Sequence, residues 1–183
     1  MLGRITVTVL PKMCQQILES IISADNLYCS FQNKNDLKII LVEEEQAIIT
    51  TMVSNRYKHF TVQLCYKILR HEQWVGKPRQ NWGNVPLHTD VHISDDIERI
   101  RLSRNKVVSM ETKSLDKTTF LTLINEFREI AERVDIYLKN GGMFLLQIQP
   151  TESMTKAEIE STVEEICRLP VIIGMFLFMF PHL

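Results

Sequence analysis

The sequence predicts an all-α fold, a helical bundle with a long loop between its central helices. Three observations carry this. Residues 116–139 keep apolar side chains at helical spacing throughout, at Phe120, Leu123, Ile124, Phe127, Ile130, Ala131, Val134 and Leu138. Shorter stripes of the same period run through 11–23 (Cys14, Ile17, Leu18, Ile21) and 57–72 (Phe60, Leu64, Cys65, Ile68, Leu69). Between 57–72 and the next helix lies a stretch of about 20 residues punctuated by Gly76, Pro78, Gly83 and Pro86, long for a compact domain and of a kind that is often functional.

The elements follow in order. "MLGRITVTVLPK" opens the chain without a signal-peptide core, and its alternation suggests a short strand or an extended arm over residues 1–10. Pro11 suits the first turn of a helix. "NKND" (33–36) is a turn. "LKIILVEEEQAIITTMV" (37–53) reads as one bent helix or two short ones, its β-branched content weakening a single long helix. Trp74 and Trp82 sit in the long loop, where a tryptophan is more often a packing anchor than a ligand platform. Ser94 is placed to cap the next helix, with Asp95 and Asp96 in its first turn facing the positive end of the helix dipole. The helix over 116–139 extends about 35 Å at ~1.5 Å per residue, and Gly141 and Gly142 stop it. "TKAEIESTVEEICRL" (155–169) is a further amphipathic helix. The apolar run 171–180, "VIIGMFLFMF", falls short of the ~20 residues a bilayer span needs. It is expected to pack along the bundle rather than dip into a membrane, because anionic lipid would repel the glutamates before it. The organisation is an arm (1–10), a helical domain (11–142) and a C-terminal extension (143–183).

Composition narrows the function. The 183 residues are 45% hydrophobic and 23% charged, a globular balance, with net charge −1. A generic polyanion binder needs a cationic surface, so DNA is not an expected partner and any RNA contact must be local, built from a few arginines. Cys14, Cys29, Cys65 and Cys167 are far apart and form no CxxC pair, which suggests reduced thiols in a cytoplasmic protein rather than a metal site or disulfides. No cofactor and no metal are expected.

The most informative stretch is "SDDIERIRLSRNKVVSM" (94–110). On a helical wheel Arg104 shares a face with Ile97, Ile100, Val107 and Val108. A guanidinium on an apolar stripe needs acceptors, from a neighbouring helix or a second subunit; the alternative is an arginine whose stem covers the core edge while its head stays wet. Asp95 with Arg99, and Glu98 with Arg101 or Leu102, lie on other flanks, where such pairs contribute a few tenths of a kcal/mol.

"FTVQLCYKILRH", the loop "WGNVP" and "DDIERIRLSRNKV" together resemble the HEPN superfamily, most closely the branch found in DAZ-interacting zinc-finger ligase-type proteins. The resemblance covers about residues 11–139. It implies a helical bundle and, in many members, a metal-independent endoribonuclease whose motif is an Arg, a polar residue such as Asn, four to six further residues and a His, with two motifs facing each other across a dimer. In that chemistry the His removes the RNA 2′-hydroxyl proton and the Arg stabilises charge on the phosphate. Arg104 and Asn105 match. Ser109, Met110 and Glu111 stand where the His belongs, and none is His. Glu111, just past the expected helix end, is a poor substitute base.

The resemblance therefore implies a HEPN-like module that is not catalytic and serves dimerisation, RNA binding or adaptor contacts in a regulatory or immune-type protein. Asp96, Arg101, Arg104, Asn105 and Trp82 are its candidate interface residues. The expected partners are a second copy, another HEPN domain, or RNA. A ribonuclease with a displaced base and a pure protein-interaction domain are the alternatives.

Overall fold

The computed structural model describes residues 2–110 and 116–148. The helix over 155–169 and the apolar run 171–180 expected from sequence lie outside the described residues. Within them the chain is helical and contains no strand.

The chain begins with α1 (Leu2–Arg4), a π-helical turn (Ile5–Val9) and α2 (Leu10–Ile21). Arg4, Val9 and Leu10 all hold right-handed helical angles, so the three pieces run on as one helix. This replaces the strand or extended arm expected for residues 1–10. The alternating β-branched residues of "ITVTV" favour a strand locally, but Leu2, Ile5, Val9 and Leu10 are fully buried along one helical side, and burial wins. The π turn, closed by the Leu10 N–H on the Ile5 carbonyl, comes just before Pro11. A proline lacks the N–H for the next α-helical bond and crowds the carbonyl four residues back; the wider turn lets the helix run through it.

Next come α3 (Ala24–Asn33), capped by the Ser23 hydroxyl on the Asn26 N–H at 3.3 Å, then α4 (Asn35–Ile40), α5 (Glu43–Thr50) and α6 (Met52–Asn55). The stretch expected to be one bent helix or two is thus broken twice. At the first break Gln46 donates its side-chain amide to the carbonyls of Lys38 and Leu41, both at 2.9 Å, satisfying groups the interruption frees. Helix α7 (Val62–Glu72) is capped by Thr61, so Phe60 belongs to the preceding turn although it is buried as the helical stripe requires.

A loop over residues 73–92 leads to α8 (Ile93–Ser109). His92, not Ser94, caps α8; Ser94 lies inside the first turn, its Oγ 2.7 Å from His92 Nδ1. Helix α9 (Lys117–Leu138) follows the expected periodicity, and its apolar stripe from Phe120 to Val134 is buried. Lys139, at φ 55°, ends it in the left-handed region, and Gly141 and Gly142 continue at positive φ. The chain then turns back into α10 (Met143–Gln147). The Asp135 carboxylate caps α10, accepting the N–H groups of Phe144 (3.0 Å) and Leu145 (2.9 Å).

Helices α8 and α9 pack antiparallel, since Asp96 meets Arg133 and Lys106 meets Glu126. Helix α2 packs on α7 and α9, and α10 on α9 and the π turn, around one continuous core. Cys14 and Cys65 lie inside it, and burial pushes the Cys14 thiol up to about 12 and the Cys65 thiol well above its ordinary value. Thiolate is the reactive form. Alkylation of native protein at pH 8 should therefore modify the exposed Cys29 and spare Cys14 and Cys65 until denaturant is added. Peptide mapping that found Cys14 labelled as fast as Cys29 would show a looser core than this one.

Candidate functional site

The loop over 73–92 is held to α8 by buried carboxylates. Asp95, fully buried, accepts the Arg79 N–H at 2.8 Å through one oxygen and the His92 N–H at 3.1 Å through the other. Glu98, also fully buried, accepts the Tyr66 hydroxyl (2.9 Å) and the Gly83 N–H (3.1 Å) on one oxygen, and the Arg101 guanidinium on the other, with Arg101 Nε at 2.8 Å. Asp90, in the loop itself, accepts the Leu87 N–H (2.9 Å) and the Gln80 amide (3.1 Å). Arg99 donates back to the Asp90 carbonyl at 2.6 Å and also reaches the Leu87 carbonyl. Buried carboxylates persist only when their lone pairs are met in this way.

The Arg101 guanidinium also lies over the Tyr66 ring, 4.9 Å from its centre, and Trp82 meets the same ring edge-on at 5.4 Å. Trp82 is thus a packing anchor for the loop. Burial, with Glu98's charge beside it, pushes the Tyr66 hydroxyl up to about 12, so it stays a neutral donor.

Asp96 joins the two long helices. Its carboxylate takes a forked bond from Arg133 of α9, with Nε at 2.9 and 3.0 Å and a terminal nitrogen at 2.8 Å, and a further bond from Arg99 at 2.9 Å. Burial pushes the Asp96 carboxyl up further than the two guanidiniums pull it down. Burial alone would lower Arg133, but the Asp96 hydrogen bonds and charge outweigh it and the guanidinium is raised. Of the two pairs expected on the other flanks of α8, one forms. Glu98 does pair with Arg101, but inside the protein; Asp95 serves the loop backbone, and Arg99 turns to Asp96. The loop folds over this flank and takes it out of water.

Arg104 and Asn105 lie at the other end of α8. Ile97, Ile100 and Val107 are buried as the wheel requires, and Arg104 is half-buried at the edge of that face. Its guanidinium donates to Asn105 Oδ1 at 3.0 Å. Among the described residues no carboxylate comes within ion-pair distance of it, and burial lowers its pKa with no opposing charge to raise it. An arginine keeps its proton at any physiological pH, so this is a partly desolvated cation with one local amide acceptor.

No histidine stands at 109–111 beyond it in the sequence. Ser109 Oγ donates to the Lys106 carbonyl at 3.1 Å, and Met110 is half-buried. The chain has no histidine from residue 93 to 181. His92, which caps α8, lies twelve residues from Arg104, about 18 Å along a helix axis. The structure thus places the five candidate residues in two groups: Asp96, Arg101 and Trp82 in the loop-facing network, Arg104 and Asn105 beyond it. No cluster of potential metal ligands occurs among the described residues, and none of their helices is long and apolar enough to cross a membrane.

The family model described as DZIP3/hRUL138-like HEPN matches residues 17–142. The chain belongs to this HEPN family. No curated protein and no solved structure matched it. The match runs from within α2 through α9, taking in both long helices and the loop, and so includes every candidate residue of this HEPN domain. Sequence reasoning missed Glu98, Arg133, Tyr66 and Asp90 as members of the network. Three acids within four positions directly after a long loop were the available signal, because such a group in one helical turn needs donors from elsewhere.

Proposed function

We propose that this HEPN domain is a non-catalytic module that pairs with a second copy, or with another HEPN domain, through the α8 face carrying Arg104 and Asn105. The observation that carries the reading is the half-buried Arg104 guanidinium, whose acceptor within its own described chain is the neighbouring Asn105 amide. A desolvated cation at the edge of an apolar face gains from an acceptor supplied across an interface. The resemblance supports the same geometry, since HEPN motifs face each other in dimers. Lack of catalysis follows from the residues at 109–111, none of which is a histidine to take the 2′-hydroxyl proton.

Light scattering after size exclusion should give a dimer mass for the wild type and a concentration-dependent shift toward monomer for Arg104→Ala, with unchanged helicity. Single-stranded RNA incubated at neutral pH with chelator should stay intact. Metal-free cleavage abolished by Arg104→Ala would favour the ribonuclease reading instead. A monomer in both proteins would remove the pairing reading.

A further inference from the structure

We infer that the loop over 73–92 is a preformed docking surface for an acidic, apolar peptide segment of a partner protein. It is distinct from the Arg104 face, which lies toward the other end of α8, and does not depend on it.

The first observation is rigidity without a described task. Four loop N–H groups, those of Arg79, Gly83, Leu87 and His92, end on the carboxylates of Asp95, Glu98, Asp90 and Asp95 in turn. Arg99 holds two loop carbonyls, and Trp82 packs on Tyr66. Burying carboxylates is costly, and here their bonds fix a loop rather than a reacting centre.

The second observation is what the fixed loop presents. Val85, Leu87 and Val91 are 73%, 56% and 60% exposed. The turn closed by the Asp90 N–H on the Leu87 carbonyl, at 2.9 Å, brings the two ends of the segment Leu87–Asp90 together, so Leu87 and Val91 flank it. Apolar side chains held out by a pinned backbone lose little conformational freedom on binding.

The third observation is charge. Lys77 and Arg79 are exposed in the same loop, with His88 and His92, and its single carboxylate, Asp90, is buried and bonded. The loop therefore exposes both apolar and basic side chains, the Arg79 charge reaching the buried Asp90 carboxylate. A segment alternating acidic and apolar residues complements both properties, through burial on Leu87 and Val91 and ion pairs to Lys77 and Arg79.

The test uses the full chain and a fluorescein-labelled twelve-residue peptide alternating Glu and Leu, read by anisotropy. A Lys/Leu peptide of the same length and a twelve-nucleotide oligo(U) RNA serve as comparisons. The Glu/Leu peptide should bind, weaken at least tenfold for Leu87→Ser/Val91→Ser, weaken with added salt, and bind Arg104→Ala as well as the wild type. Because these side chains are exposed, the variants should keep the wild-type melting temperature. Equal binding of the two peptides would mean unselective stickiness and overturn the proposal. So would absence of peptide binding, or RNA binding that the loop variants abolish. A loss of peptide binding in Arg104→Ala would place the contact on the pairing face and overturn it too.

Discussion

Asp96→Ala should destabilise the domain by about 3 kcal/mol, the lower end of the range for removing one partner of a buried ion pair. Asp96 is 1% exposed and joins α8 to α9 through Arg133, with Arg99 as second donor. Removing it orphans both guanidiniums. The side chains of Arg133 and Arg99 keep 22% and 15% exposure, so water recovers part of the loss and the upper end of the range is not reached. For a chain of this size the melting temperature should fall by roughly 6–12 °C. Urea unfolding supplies the measurement, and Asp96→Ala/Arg133→Met supplies the control. If the pair acts as described, the double variant loses less stability than Asp96→Ala alone, because the stranded cation has gone. Costs that simply add would show that the two residues do not interact.

The sign of the pH dependence follows from the same site. In the folded protein Asp96 lies above the usual 3.8, raised by burial. Folding therefore favours its protonated form. Its contribution to stability is fully present below pH 3.8 and declines as pH rises through the folded value. Asp96→Asn, which cannot titrate, should lose this decline. Urea midpoints measured from pH 3.5 to 6.5 should thus fall less steeply, or rise more steeply, for Asp96→Asn than for the wild type. Parallel curves would place the Asp96 carboxyl at its ordinary value.

Much of the fold was legible because periodicity reports burial directly. Helix α9 lies where its apolar stripe put it, and the Gly/Pro segment is a loop. The amino terminus was not legible. "ITVTV" alternates β-branched residues as a strand would, and only the packing of Leu2, Ile5 and Val9 against the rest of the bundle decides for helix. The start of α8 moved by two residues because an imidazole, outside the usual set of capping side chains, took the position expected for Ser94. A wheel needs no tertiary information to put Arg104 on the apolar face; in the fold it is half-buried there, and its acceptor is the adjacent Asn105 rather than a neighbouring helix. The buried carboxylates were beyond such reasoning. A wheel puts Asp95 and Glu98 on polar flanks and stops there. Asp95 takes the Arg79 N–H from 16 residues upstream, Glu98 the Gly83 N–H from 15 upstream, and Asp96 the Arg133 guanidinium from 37 downstream. Only the folded loop turns a solvated flank into an interior.

Glu98→Ala should cost about 2–3 kcal/mol and act on the loop more than on the bundle. The carboxylate is fully buried and meets three donors from three parts of the chain: the Tyr66 hydroxyl of α7, the Gly83 N–H of the loop and the Arg101 guanidinium of α8 itself. Alanine leaves the hydroxyl and the N–H without an acceptor, each at about 1–3 kcal/mol. Arg101 loses less, because its side chain is 18% exposed and can turn toward water. That movement also removes its charge from the Tyr66 ring, a smaller loss of about 0.5–1 kcal/mol. Glu98→Gln retains one acceptor oxygen and should cost less than alanine, though more than an exposed substitution. The distinguishing readout is amide hydrogen exchange. Gly83 should lose protection in Glu98→Ala by at least tenfold more than buried amides of α9 such as Phe127, because the loop opens before the bundle does. Uniform loss across Gly83 and α9 would make Glu98 a general stabiliser of the core rather than the group that fixes the loop. The peptide-binding assay then connects stability to function. A loop released at Gly83 no longer holds Val85, Leu87 and Val91 in one arrangement, so Glu98→Ala should weaken the Glu/Leu peptide although none of its contact side chains has changed.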